Sequence, residues 1–83
     1  MMQKKSQINY PCKWEYRIIG EEREVIEKQV FDLMLKPYSL EVKNRSKQGK
    51  FISMHLIVEV DSEEDRNQIF RKLQQIERVK MVL

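Results

Sequence analysis

Apolar and polar residues alternate in four segments of the chain, and this period of two residues is typical of β-strands with one buried face. The first segment runs from Cys12 to Gly20, and the second begins at Tyr38. The third, Phe51–Val60, is the most apolar stretch, and the last follows Arg78 to the end of the sequence. We therefore predict four strands, with the third lying centrally in a sheet.

Two segments between these strands change to a helical period. The first runs from Glu21 to Lys36, with glutamates at its start and Pro37 as the residue that ends it. The second follows Asp61 and Ser62, either of which can cap a helix because acidic residues lie three positions further on. We predict two helices whose apolar stripes are Ile26, Val30, Leu33 and Met34 in the first and Ile69, Phe70, Leu73 and Ile76 in the second.

The element order β-α-β-β-α-β predicts an α+β ferredoxin-like sandwich. Two strand-helix-strand units with right-handed crossovers place four antiparallel strands in the order 4-1-3-2, with both helices on one face. Residues 11–83 should form this single domain, because 83 residues are too few for two cores. Residues 1–10 are polar and show no period, so we expect a flexible N-terminal tail. The helices should cover the sheet face that carries Trp14, Tyr16, Leu40, Met54, Leu56 and Met81.

The composition excludes several kinds of site. One cysteine and one histidine are too few for a four-ligand zinc site, and the cysteine has no partner for an internal disulfide. Two glycines cannot form a glycine-rich phosphate loop, so we expect no nucleotide or other cofactor. No apolar run approaches the roughly 18 residues of a transmembrane helix. We expect a cytoplasmic protein that does not associate with membranes.

Candidate catalytic groups are few. His55 and Ser53 share the predicted open face of the third strand, where a general base would lie near a hydroxyl. A nucleophile also needs a group that orients the base and a site that stabilises an oxyanion, and the sequence marks neither. Cys12 falls on the buried side of the first strand, which favours a structural thiol. We therefore expect that the protein is not an enzyme.

The strongest charged feature is the predicted hairpin between the second and third strands. Its cations and small polar groups could hold a phosphate or an acidic partner surface, although a solvated turn explains the same composition. An RNA-recognition surface needs aromatic residues on both central strands. Phe51 is the one aromatic residue predicted on the open face of these strands, so a nucleic-acid partner is not favoured. With the adjoining open face, the hairpin gives a candidate interaction surface: Lys43, Arg45, Ser46, Lys47, Lys50, Phe51, Ser53 and His55.

Gly20 marks a second candidate, an effector-binding turn. It lies between the first strand and the first helix, where free backbone N–H groups at a helix N-terminus can hold a carboxylate. Glu21, Glu22 and Glu24 follow it and would repel an anion, which favours a plain strand-to-helix corner. Both interpretations stay open from the sequence.

The sequence resembles the YbeD-like family of short bacterial proteins of unknown function over residues 11–83. The resemblance rests on Pro11 with the aromatic-bearing strand that ends at Gly20, on the Ser46–Lys47 turn with Gly49, Phe51 and Ser53, and on the closing strand Val79–Leu83. It implies a ferredoxin-like sandwich similar to ACT domains, the small-ligand-sensing regulatory domains of amino-acid metabolism. The acidic helix start departs from ACT domains and puts effector binding at Gly20 in doubt.

These observations predict a non-enzymatic regulatory or protein-interaction module whose partner is another protein. Two alternatives stay open: an ACT-like domain that senses an amino acid or another small carboxylate, and nucleic-acid binding through the basic hairpin. The net charge of +3, from 16 Lys and Arg against 13 Asp and Glu, is a weak signal for the latter. A chain this small gains stability from self-association, so we expect a monomer or a weak homodimer.

Overall fold

The computed structural model describes residues 9–45 and 50–83, with backbone alone for Asn44 and Arg45. It contains the predicted elements in the predicted order: β1 (Cys12–Gly20), α1 (Arg23–Leu33), β2 (Tyr38–Arg45), β3 (Ile52–Val60), α2 (Glu63–Gln74) and β4 (Val79–Val82). The strands form one antiparallel sheet in the order β2-β3-β1-β4, which is the predicted order 4-1-3-2 in the other direction. The predicted α+β ferredoxin-like sandwich is confirmed.

The hydrophobic core lies between one face of the sheet and the two helices. β3 supplies every second residue along its length, because strand side chains alternate between the two faces. Trp14 and Leu40 pack at the margin of the core, partly buried. α1 and α2 add residues at helical spacing to the same layer. The largest fully buried side chains are Tyr16, Ile18, Ile26, Val30, Met54, Leu56, Val58, Val60 and Leu73.

α2 begins where the sequence signals predict. Oγ of Ser62 accepts a hydrogen bond from the backbone N–H of Asp65 at 3.0 Å, and Oδ2 of Asp65 accepts one from the N–H of Asp61 at 2.9 Å. Nζ of Lys36 donates to the same carboxylate oxygen at 2.8 Å, and this hydrogen bond lowers the pKa of Asp65. Acidic residues in the first turn and basic residues in the last turn match the helix dipole.

α1 is shorter than predicted. We expected a helix from Glu21 to Lys36, whereas α1 spans Arg23–Leu33. Pro37 disfavours helical backbone at the residue before it, so the last expected turn does not form. Met34, expected on the helix, has extended backbone and still packs against the core partly buried. Met34 fits the apolar period of the helix although it lies beyond its end, because the extended backbone also directs its side chain toward the core.

β4 differs from the prediction in the direction of its side chains. Val79 pairs with Gly20 and Met81 pairs with Ile19, so the ladder shifts by one residue between these pairs. This irregularity turns Val79 and Val82 toward the core, whereas Met81 is 50% exposed. The prediction that Met81 faces the helices was wrong, because one extra residue in an edge strand reverses the alternation.

The N-terminal segment is described only from Asn9. The predicted tail, residues 1–10, lies mostly outside the described residues and stays a prediction. Tyr10 lies beside α2, where its hydroxyl accepts a hydrogen bond from Nη1 of Arg66 at 3.1 Å. Within the described ranges, neither α1 nor α2 combines the length and the apolar character needed to cross a membrane.

Candidate functional site

The second face of the sheet is left uncovered by the described helices. It carries mainly charged and polar side chains, at the alternate positions of the strands that build the core. Groups of this kind can contact a partner without disturbing the core. We refer to this surface as the open face, and its residues are Lys13, Glu15, Arg17, Ile19, Ser39, Glu41, Lys43, Ser53, His55, Ile57, Glu59 and Met81.

A charged row crosses the middle of the open face. Glu41 of β2 lies opposite His55 of β3, and His55 lies opposite Arg17 of β1. Nδ1 of His55 contacts Oε2 of Glu15 on the diagonal. Nζ of Lys43 lies 2.9 Å from Oε1 of Glu41, and this hydrogen bond lowers the pKa of Glu41. Opposite charges paired across and along strands are normal for a solvated sheet face.

This arrangement does not form a nucleophile–base pair. In the described part of the chain, no hydrogen bond joins Ser53 to His55, and the imidazole contacts Glu15 instead. The described residues also contain no group of three or more His, Cys, Asp and Glu side chains that could hold a metal ion. The open face can therefore present charge to a partner, but it shows no oriented nucleophile.

The hairpin and the Gly20 corner, two separate candidates in the sequence, lie at the same end of the sheet. One row across the four strands is formed by Arg45, Ile52, Gly20 and Val79. The strand directions thus bring together the end of β2, the corner after β1 and the start of β4. Ser46, Lys47 and the side chain of Arg45 lie outside what the structure describes, so their part in the surface stays a prediction.

Two lysines lie over one aromatic ring at this end. Nζ of Lys50 is 5.5 Å from the centre of the Phe51 ring, and Nζ of Lys80 is 5.7 Å from it. Sequence reasoning named Lys50 and Phe51 but missed Lys80, because only the strand order brings β4 to this point. We refer to Lys50, Phe51 and Lys80 as the basic end.

Gly20 packs tightly against the start of β4. A Cβ atom on Gly20 would lie 2.2 Å from the carbonyl oxygen of Arg78. The same oxygen accepts a hydrogen bond from the backbone N–H of Glu21 at 2.8 Å, and Nε of Arg78 lies 3.2 Å from Oε2 of Glu22. Close packing against Arg78 is sufficient to explain the glycine, and effector binding here stays a prediction.

Solved structures share this fold. A solution structure of protein HP0495 from Helicobacter pylori matches with a TM-score of 0.83 at 38% identity, covering 96% of this chain and 89% of that one. The ACT domain from the GTP pyrophosphokinase of Chlorobium tepidum matches with a TM-score of 0.60 at 19% identity, covering 86% of this chain and 94% of that domain. At that identity, the likeness to the ACT domain shows the fold alone.

Sequence relatives include uncharacterised proteins from two bacteria. One from Helicobacter pylori is 40% identical over 81 residues, which are 96% of this chain and 94% of the relative. One from Campylobacter jejuni is 40% identical over 74 residues, which are 87% of this chain and 84% of the relative. A family model described as a protein of unknown function (DUF493) matches residues 5–83. The resemblance to the YbeD-like proteins is confirmed, and the chain belongs to the DUF493 family.

Proposed function

We propose that this protein is a non-enzymatic interaction module that binds another protein through the open face and the basic end. The observation that supports this most directly is the position of Lys50 and Lys80 over the ring of Phe51, beside the open face. Cations grouped around an apolar ring suit an acidic protein surface, because they attract it over a distance and leave an apolar contact at the centre.

The open face offers exposed apolar area in addition to its charged side chains. Ile57 and Met81 are 37% and 50% exposed and share this face with the charged row. Apolar residues surrounded by charged ones are typical of protein–protein contact surfaces, where the apolar part is buried and the charges form the rim. A partner bound here would leave the core unchanged, because the contacted residues are not those that face the helices.

Charge reversal at the basic end tests this proposal. The double variant Lys50→Glu/Lys80→Glu should reduce binding of the partner by about tenfold or more, because it replaces attraction to an acidic surface by repulsion. The matched control is Lys28→Glu/Arg71→Glu, which changes the net charge equally on the exposed surfaces of α1 and α2. Affinity capture with mass spectrometry identifies the partner, and titration of the purified partner measures the change.

Two outcomes would contradict the proposal. Binding unchanged by the basic-end variant would exclude this surface. An equal loss in the control variant would show that net charge, and not the basic end, sets the affinity. Thermal unfolding of both variants confirms that each remains folded, since substitutions at exposed sites usually change stability by only about 0.5 kcal/mol.

A further inference from the structure

The sheet edge beside β4 is only partly closed. β4 pairs with β1 over Ile18–Gly20, and Leu83 continues the ladder by exchanging two backbone hydrogen bonds with Arg17, of 2.8 and 3.0 Å. Over Cys12–Tyr16, β1 has β3 on one side and, among the described residues, no strand on the other. β1 is therefore a central strand along one half of its length and an edge strand along the other.

The backbone groups of Lys13 and Glu15 point out of this free edge. Arg17 directs both its N–H and its C=O toward Leu83, and these groups alternate between the two sides of a strand from one residue to the next. The residues two and four positions earlier therefore direct theirs the same way. Unpaired N–H and C=O groups along an edge form a template for another strand.

An aromatic cleft lies next to the free edge on the helix side. It has a volume of about 260 Å³ and is lined by Trp14, Tyr16, Arg66, Asn67, Phe70 and Leu83. The guanidinium carbon of Arg66 lies 4.3 Å from the centre of the Trp14 ring. A strand added to the edge would therefore gain side-chain contacts here in addition to backbone hydrogen bonds.

We propose that a second copy of this chain pairs with this edge, β1 against β1, antiparallel about a twofold axis at Trp14. In this register Lys13 lies opposite the partner's Glu15 and Glu15 lies opposite the partner's Lys13. Each pair exchanges two backbone hydrogen bonds and joins opposite charges on the open face. The neighbouring twofold registers would set Lys13 or Glu15 opposite its own copy, and like charges directly opposite are destabilising.

The outer edge of β2 is a poorer template for the same contact. Its ladder with β3 shifts between Val42 and Asn44, and a bulge of this kind disrupts an edge. Its charges Glu41 and Lys43 are paired with each other at 2.9 Å. Lys13, in contrast, forms no ion pair with any described residue, so the partner's Glu15 would supply one.

The β1 contact is short and closes on itself. Leu83 holds the position opposite Arg17, so the paired segment is limited to Cys12–Tyr16. A twofold contact uses both free edges and stops at a dimer, which should be weak and dependent on concentration because its area is small. In the dimer, the open faces of the two copies would form one continuous surface. The proposal of a dimer does not depend on the function proposed for the open face.

Exchange of the two charges tests the register. Sedimentation velocity over a concentration series should show a monomer–dimer equilibrium for the wild type. Lys13→Glu and Glu15→Lys should each weaken the dimer by about tenfold or more, because both opposite-charge pairs become like-charge pairs. The double variant Lys13→Glu/Glu15→Lys should restore it. The double variant also lacks the contact of Glu15 with His55, so its dimerisation separates the intermolecular effect from the loss of that contact.

Amide hydrogen exchange locates the contact. The amides of Lys13 and Glu15 should become protected at the concentrations where the dimer forms, whereas the outer edge of β2 should not. The proposal is overturned if the wild type stays monomeric throughout, if the single variants dimerise as the wild type does, or if the double variant stays monomeric. Protection at β2 in place of β1 would also overturn it.

Discussion

The two faces of the sheet are built from alternate residues of the same strands, and they differ in what they contact. On β3, Leu56 is buried beneath the helices, while its neighbours His55 and Ile57 lie on the open face. His55 contacts Glu15, and Ile57 is 37% exposed. A shift of one residue in register would exchange the two sets. Core packing and surface contacts can therefore be altered separately at adjacent positions of one strand.

The largest expected effect tests this difference at two neighbouring residues. Leu56→Ala should lower the free energy of unfolding by about 2–5 kcal/mol, because it removes apolar contacts and leaves a cavity in the core. Ile57→Ala, on the open face, should lower it by about 1 kcal/mol or less. Urea unfolding followed by circular dichroism measures both. Equal losses at the two positions would show that the open face is packed as tightly as the core and would contradict the proposed difference between the two faces.

Local patterns were sufficient to predict the faces of the inner strands and the start of α2. Strict alternation placed Tyr16 and Leu56 under the helices, since a strand has only two faces. Asp61 and Ser62 were both predicted as possible caps, and Ser62 is the one whose side chain accepts a hydrogen bond from the backbone N–H of Asp65. The direction of Met81 was missed because it depends on strand pairing that no local pattern contains. The end of α1 was misplaced for a local reason, because the apolar period was followed beyond Leu33 although Pro37 disfavours helical backbone before it.

The candidate site was predictable only in part, for the same reason. Lys50 and Phe51 belong to the hairpin segment, whose charge is visible in the sequence. Lys80 lies far along the chain and reaches the Phe51 ring only through the order of the strands. The free edge at Lys13 could not be predicted from the sequence either, because it depends on how far β4 pairs along β1. Long-range pairing, more than residue type, determines which charges meet.

A smaller effect is expected at the end of the helix-covered face. Gly20→Ala should lower the free energy of unfolding by about 1–3 kcal/mol, because the added methyl group would overlap backbone and force a shift. Its nearest neighbours would be the Arg78 carbonyl oxygen at 2.2 Å, Cδ1 of Ile26 at 2.9 Å and Cα of Val79 at 3.0 Å. Thermal and urea unfolding measure the change, with the exposed Ser39→Ala on the open face as control.

The same variant bears on the effector-binding alternative. A loss of stability confined to Gly20→Ala would support close packing as the reason for the glycine. A fully stable variant would show that β4 can move away at no cost. Packing would then no longer account for the glycine, and a screen of small carboxylates by thermal shift would become the next measurement.

The smallest expected effect concerns a polar group on the helix-covered face. The hydroxyl of Tyr16 donates a hydrogen bond to the carbonyl oxygen of Arg66 at 2.7 Å. Tyr16→Phe should therefore lower the free energy of unfolding by about 1 kcal/mol at neutral pH. Tyr38→Phe is the control, since the Tyr38 hydroxyl makes no hydrogen bond with any described residue, and it should change stability by less than about 0.5 kcal/mol.

Stability measured at alkaline pH tests whether the Tyr16 hydroxyl is shielded from water. Burial raises the pKa of Tyr16 from 10.0 to about 12, so ionisation is easier in the unfolded chain than in the folded one. The stabilisation from Tyr16 is complete below the unfolded pKa and is lost as the pH rises from 10.0 toward 12. The stability difference between the wild type and Tyr16→Phe should therefore shrink over this range in urea unfolding. A difference independent of pH would show that the Tyr16 hydroxyl is open to water and that this part of the helix-covered face is not dry.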